Sequence, residues 1–446
     1  MSSTLLVRAT RRTLGRVTPL FLAAAVAGCS TSDLLTAARP DQIDPAELSS
    51  NLQGAGALFA GAVGDFTVAL AGGSGGGAGL GQIAASGFLA DEFVFGGTPP
   101  EIRQMDLRLV FEQNGTWLNA YIDLHRARES AERAITAFKA VAPSDGRVGE
   151  LLALQAALIT IQGENYCSGA PISSTQPTIT YGDPLTTAAT FALAVTRADA
   201  ALAGAGSNTN ARNLAAVIKG RALLNAGQHA AAATAVAAVP TTFEYRVSHG
   251  LATARQQSWL WTYAYNSQGL LVANREGTNG LDFVTAQDPR VLVDGDGRPS
   301  SFDNLTPRYF PRMYGTQNHS VLVAGGVEAR LIEAEAALQA GNTTGWLAKL
   351  AEARARYNMA APTDPGTPDA RVNLMFRERA FSLFGTSHRV GDLRRLSRQY
   401  GRGRETVWPT GAYHKDGLAR GTDVNIIVPI SEKNNPKFTG CIDRNP

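Results

Sequence analysis

Cysteine is nearly missing from this chain: three in 446 residues, beside six histidines and five methionines. That scarcity excludes a thiolate-rich metal site and a scaffold stapled by many disulfides. The histidines (125, 229, 249, 319, 388 and 414) are scattered, with no H-E-x-x-H and no Cys/His pair at zinc spacing. His125 falls on the apolar stripe of a helical segment and is expected as a hydrogen-bonded core residue. Glycine is abundant, yet the run at 72–81 contains neither G-x-G-x-x-G nor a glycine-lysine phosphate loop. Gly72-Gly73-Ser74-Gly75-Gly76 fits G-x-S-x-G, but a nucleophile elbow needs a strand before it and a helix after it. Here a helical pattern runs into bare glycine, which predicts a linker. Asp294-Gly295-Asp296-Gly297 opens like a calcium loop and lacks the glutamate at its twelfth position, so it reads as a turn. Asp91 and Glu92 are adjacent carboxylates, which point apart and have no identifiable partner for acid–base work. No catalytic set assembles. The chain reads as a non-enzyme without cofactor or metal.

A charge excess is missing too, once the N-terminus is set aside. Arg8, Arg11, Arg12 and Arg16 precede an apolar run, Val17 to Gly28, that ends in Val26-Ala27-Gly28-Cys29. A basic region, a short apolar stretch and a small-residue cleavage site describe a secretory signal. A cleavage site abutting cysteine is what a bacterial lipoprotein signal looks like, so Cys29 is expected as the lipidated first mature residue. Several acyl chains at ~0.8 kcal/mol per buried methylene make such attachment permanent. The apolar run is too short to span a bilayer, which takes roughly 20 residues, so the chain is expected to be anchored rather than embedded. Without residues 1–28, whose only charges are four arginines, the 41 basic residues fall to 37 against 38 acidic ones. A nucleic-acid partner loses its electrostatic basis. The remaining thiols, Cys167 and Cys441, lie in turn-like sequence. In an exported protein they are expected to form one long-range disulfide that pins the C-terminal tail.

What is present is helix. Residues 30–48 read as a polar tether, and 49–446 as a single body. Residues 116–142 and 147–163 carry apolar positions at i, i+3, i+4 spacing. The clearest unit is 209–240: a stripe of Leu214, Val217, Ile218 and Ala222, a turn at Asn225-Ala226-Gly227, and an alanine-rich return helix stopped by Pro240. Its length approaches the tetratricopeptide repeat, with Gly220, Leu223, Gly227 and Ala232 where that repeat places small, bulky, turn and close-packing residues. A second copy spans 326–358, turning at Ala340-Gly341-Asn342, and 116–163 and 186–205 offer further helices. The predicted fold is therefore mostly α, with tetratricopeptide-like hairpins near 116–163, 186–240 and 326–358. They pack with a loop-rich insertion at 241–325.

Aromatics are sparse, 7%, but Trp259, Trp261, Tyr263 and Tyr265 alternate, a strand-like period that puts four rings on one face. Such a row either stacks the C–H faces of sugars, with Gln256, Gln257, Asn266, Gln268 and Asn274 nearby for hydroxyls, or buries as core. The arginine-dense stretch 371–404 holds nine arginines against Glu378 and Asp392. It reads either as internal ion pairs or as a surface for an acidic ligand or protein partner.

The ordered segments resemble the SusD/RagB-like nutrient-uptake outer-membrane lipoproteins. The resemblance rests on Ala90-Asp91-Glu92-Phe93 and on the run from Asn274-Arg275-Glu276-Gly277 through Asn279-Gly280-Leu281. It continues with Asp288-Pro289-Arg290, with 328–336 (EARLIEAEA), and with Arg377-Glu378-Arg379-Ala380-Phe381. His388-Arg389-Val390-Gly391-Asp392-Leu393-Arg394-Arg395 and Val428-Pro429-Ile430 complete it. It implies a non-catalytic surface lipoprotein whose helical units pack on a TonB-dependent, SusC-like transporter. It implies too that the chain captures oligomeric nutrients, often glycans, for delivery to the pore. The family's sugar-stacking rings lie in variable loops and do not transfer by position. The alternative expectation is a periplasmic tetratricopeptide scaffold that assembles other proteins and binds no nutrient.

Overall fold

Asparagine and threonine caps start the long helices where the sequence places them. The computed structural model describes residues 48–446, so Cys29, the signal segment and the tether before residue 48 lie outside the described residues. Fourteen helices are described: α1 (Leu52–Ala71), α2 (Gly81–Leu89), α3 (Pro100–Asp106), α4 (Gly115–Val141), α5 (Arg147–Asn165), α6 (Thr187–Gly204), α7 (Thr209–Asn225), α8 (His229–Val236), α9 (Trp259–Trp261), α10 (Gly326–Gln339), α11 (Thr343–Ala355), α12 (Pro368–Ser382), α13 (Arg389–Arg398) and α14 (Arg404–Val407). Asn114, Thr186, Asn208, Asn342 and Thr367 each accept a first-turn N–H at the starts of α4, α6, α7, α11 and α12. Each such cap contributes about 1 kcal/mol.

The helices pair in sequence order: α4 on α1 and α5, α6 on α5 and α7, α8 on α7 and α10, α11 on α10. In the 209–240 hairpin, a Cβ on Gly220 would stand 2.4 Å from Val236 Cγ1, so α7 and α8 approach closely only because that position is bare. Gly227 makes the turn at φ +75°, left-handed backbone that glycine alone adopts without penalty. α1 is the one described helix long and apolar enough to cross a membrane, and half of that stretch is buried. Asp65 within it accepts from Ser130 at 2.6 Å and pairs with Arg255 at 3.3 Å, the contacts of a packed core helix.

The glycine run after α1 is a packed turn, which corrects the linker reading. Gly72 sits at φ +78° and Gly81 at φ +84°, and a Cβ on Gly79 would meet the Ala120 backbone nitrogen at 2.5 Å. Ser74 Oγ lies 2.7 Å from Thr262 Oγ1 and donates to the Ser258 carbonyl at 2.8 Å. The glycines are there for close approach rather than for flexibility.

Three small antiparallel pairs stitch the loop-rich region. β1 (Phe93–Phe95) pairs with β3 (Leu270–Val272), β2 (Glu244–Ser248) with β6 (Ser320–Gly325), and β4 (Val293–Asp294) with β5 (Phe310–Pro311). The alternating rings do not form a strand. Trp259–Trp261 is one helical turn that continues as a π turn over Thr262–Asn266. Ser258 starts it by accepting from Trp261 N–H at 3.1 Å. Leu260 and Ala264 are the fully buried positions, four residues apart. That is helical spacing, and the period-2 alternation of large rings concealed it.

The tail runs extended beside the body. Tyr166 bridges Ile426, Ser168 bridges Asp443, and Cys167 N–H donates to the Ile426 carbonyl at 2.9 Å. Cys167 and Cys441 are joined by a disulfide between these paired segments.

Candidate ligand-binding site

Two short loops and one tight turn frame a cleft on the loop-rich face. The first loop is closed by the Pro299–Pro307 bridge and the second by the Ala412–Ala419 bridge. With the turn that begins at Asn274 they enclose about 290 Å³, lined in part by Asn274, Arg275, Thr306, Tyr309, His414 and Arg420.

The 274–281 segment is shaped by its own residues. Asn274 Oδ1 accepts from Val284 N–H and Thr285 N–H at 3.3 and 3.1 Å, which leaves its amide nitrogen to donate. Arg275 takes φ +55°, a conformation that costs a non-glycine residue about 1 kcal/mol or more. Its guanidinium is 72% exposed and 3.9 Å from Asp282. Gly277, at φ +58°, has no room for a Cβ, which would meet the Thr410 carbonyl oxygen at 2.4 Å. Asn279 Nδ2 donates to the Glu405 and Trp408 carbonyls at 2.8 and 2.9 Å and fastens the turn to the C-terminal loop.

Beneath the cleft, Arg420 donates to the Glu276 carboxylate and to the Asp106 carbonyl. Asp106 Oδ2 accepts from Tyr413 at 2.7 Å and from Phe95 N–H at 2.8 Å. Burial first, then the neighbouring Asp106, holds the Glu276 carboxyl well above the ordinary range. Asp106, Glu276 and His414 bring ligand atoms within 4.8 Å of one another. The Arg420 guanidinium, bonded to Glu276 and beside Asp106, already supplies positive charge there, so the set forms a hydrogen-bonded floor under the cleft. Thr306 Oγ1 donates to Asp303 Oδ2 at 2.5 Å, so His414 Nε2, 2.8 Å away, is assigned as donor to it and Nδ1 is left as acceptor. The cleft thus offers one ring (Tyr309), a free amide donor, a guanidinium and an imidazole acceptor. Phe302, 49% exposed, and Leu305, 53% exposed, ride on the first loop.

None of the four rings expected to bind ligand lines this cleft. Trp259 stacks on Tyr263 with centroids 4.2 Å apart, Tyr263 on Phe95 at 6.4 Å, and Tyr265 on Phe310 at 5.1 Å. These three pack against the core, and Trp261 beside them is half-buried. Asp91 and Glu92 are fully inside: Asp91 pairs with Arg389 at 2.6 Å, and Glu92 accepts from Gly385 N–H at 2.9 Å. Burial pushes the Glu92 carboxyl up to about 8. Asp294 accepts from Tyr265 and Arg312, and Asp296 pairs with Arg308, so the Asp-Gly-Asp-Gly stretch is a turn. Tyr309, Phe302 and His414 escaped sequence reasoning. The paired Pro299 and Pro307 around a short polar loop were the signal available.

A network of buried ion pairs joins the last third of the chain to Arg221. Arg221 and His388 meet Glu328, Arg379 and Arg395 meet Asp392, and Arg395 also meets Glu335, all at 3.1 Å or less. Residues 328–446 match the SusD family model. That segment is thereby similar to the SusD family. The chain's mostly α fold is shared with a SusD superfamily protein from Bacteroides vulgatus ATCC 8482 at TM-score 0.65 and 14% identity, covering 89% of this chain and 99% of that one. A SusD-like carbohydrate binding protein from Bacteroides fragilis NCTC 9343 aligns at TM-score 0.64 and 13% identity over 88% and 100%. A SusD superfamily protein from Bacteroides thetaiotaomicron VPI-5482 gives 0.62, 14%, 88% and 100%. No curated protein matches in sequence. At these identities the likeness is one of fold. Within the SusD-like fold, Arg379, Arg389 and Arg395 of the arginine-dense stretch form buried ion pairs, and Arg394 donates to the Gly163, Glu164 and Tyr166 carbonyls.

Proposed function

We propose that this SusD-like chain is a non-catalytic surface lipoprotein that binds oligomeric nutrients, glycans first among them. It would be anchored to the outer membrane through lipid on Cys29 and deliver its cargo to a TonB-dependent, SusC-like transporter. The observation that carries the binding role is the cleft of about 290 Å³ beside Tyr309. Sugar rings pack their C–H faces on an aromatic ring, and their hydroxyls need both donors and acceptors. Asn274, Arg275 and His414 supply these at the cleft wall. The solved SusD-like carbohydrate binding protein that shares this fold supports the substrate class.

The reading is tested in intact cells. Fluorescent oligosaccharide should be captured at the surface, protease should shave the protein, and a TonB-dependent barrel should copurify with it. Cys29→Ser should release the protein from the membrane and abolish surface capture. Protection from protease with no barrel recovered would favour the periplasmic scaffold instead.

A further inference from the structure

The arginines of the C-terminal stretch are not all consumed by ion pairing. A second cavity, about 310 Å³, opens between the Asn279–Leu281 turn, α12, α13 and α14. Arg377, Arg389 and Arg402 converge on it, and no described acidic side chain lines it. Each guanidinium is held by an acid set outside the lining. Arg389 gives Nε and Nη2 to Asp91 at 2.6 and 2.9 Å, Arg377 gives Nη1 to Asp282 at 2.7 Å, and Arg402 gives Nη2 to Asp369 at 3.2 Å. That leaves Arg389 Nη1 and the Nε and second terminal nitrogen of both Arg377 and Arg402 without a hydrogen-bond partner among the described residues, while the Arg377 guanidinium also lies over the Phe381 ring at 4.5 Å. Part of the wall is apolar: the lining includes Phe376, Leu393 and Leu396, all buried.

The geometry points to a binding site for a small organic carboxylate, an anion with an apolar body. Guanidinium groups are fixed planar forks that match a carboxylate in bidentate fashion, and two of the three here, Arg389 on the buried Asp91 and Arg377 on the half-buried Asp282, lose little freedom on binding, while Arg402 is paired with the exposed Asp369. The apolar wall takes the remainder of the molecule. The volume is at the small end of ligand pockets, which suits a single small acid. This site is separate from the Tyr309 cleft and does not depend on the glycan reading.

The full mature chain is titrated with benzoate, with methyl benzoate as its uncharged counterpart, by calorimetry and thermal melting. Benzoate should bind and raise Tm, and methyl benzoate should not. The Arg377→Gln/Arg402→Gln double variant keeps the buried Arg389–Asp91 pair and should weaken benzoate at least tenfold. Asn373→Trp, which fills the cavity from an exposed helix position without changing charge, should block benzoate as well. Absence of benzoate binding, equal binding of methyl benzoate, or unchanged affinity in the folded Asn373→Trp variant would overturn the assignment.

Discussion

Arg221 on α7 faces Glu328 on α10 as a two-point pair, 2.6 and 2.7 Å, with both side chains at most 3% exposed. It joins the first helical hairpin to the second, and His388 Nε2 adds a third segment at 3.1 Å. Burial works to raise the Glu328 carboxyl, but Arg221 and His388 together hold it well below the ordinary range. Removing one partner strands the other charge in the interior. Arg221→Ala should therefore cost about 3–5 kcal/mol in urea unfolding. A loss below about 1 kcal/mol would show the pair to be solvated.

His249 and His319 lie ring to ring at 5.1 Å and are kept neutral by burial, which lowers them to about 4 and about 3. The unfolded chain takes up these protons near pH 6.5 and the folded chain does not. The stability they contribute is full above pH 6.5 and is lost as pH falls toward 4. A His249→Gln/His319→Gln variant should show a flatter fall in Tm between pH 6.5 and 4 than the parent. Parallel curves would contradict the buried neutral pair.

Glu92 has the opposite sign. With its folded carboxyl raised to about 8, its contribution is full below pH 4.5 and lost as pH rises through 8. Glu92→Gln keeps an oxygen for Gly385 N–H and has no proton to lose. The variant should gain Tm relative to the parent as pH is raised from 5 to 9. A gap that does not grow with pH would place the ionised carboxylate in a polar setting.

The Cys167–Cys441 bridge spans 274 residues of sequence. A loop that long removes much freedom from the unfolded chain, about 5–6 kcal/mol in the chain-entropy account. Cys441→Ser should lower stability by up to that amount and expose the 421–446 tail to proteolysis first. Retention of full stability would mean that the backbone bridges at Ser168 and Tyr166 hold the tail alone.

The helical body was legible because its signals are local. The Gly227 and Gly341 turns, the asparagine caps and the stripe through Leu214, Val217 and Ile218 each point to a helix without reference to distant residues. The loop-rich face was not legible. Trp259 and Tyr263 alternate in sequence as a strand would, while Ser258 and the buried Leu260/Ala264 stripe make them a helix. Gly72–Gly81 looked flexible because its close partners, Ala120 and Arg255, lie far along the chain. Arg389 and Asp91 are separated by 298 residues, and Tyr309 and His414 by more than a hundred. Composition and spacing carry no trace of such meetings, so the cleft had to be read from the folded chain.

The most direct measurement is the affinity of the purified mature chain for an oligosaccharide that it retains in a glycan screen. It is compared by calorimetry with the Tyr309→Ala and Phe302→Ala variants at matched Tm. Loss of a stacking ring should weaken binding about tenfold or more in Tyr309→Ala, with a smaller loss in Phe302→Ala. Full affinity in a folded Tyr309→Ala protein, or no glycan retained by the parent chain at all, would contradict the account.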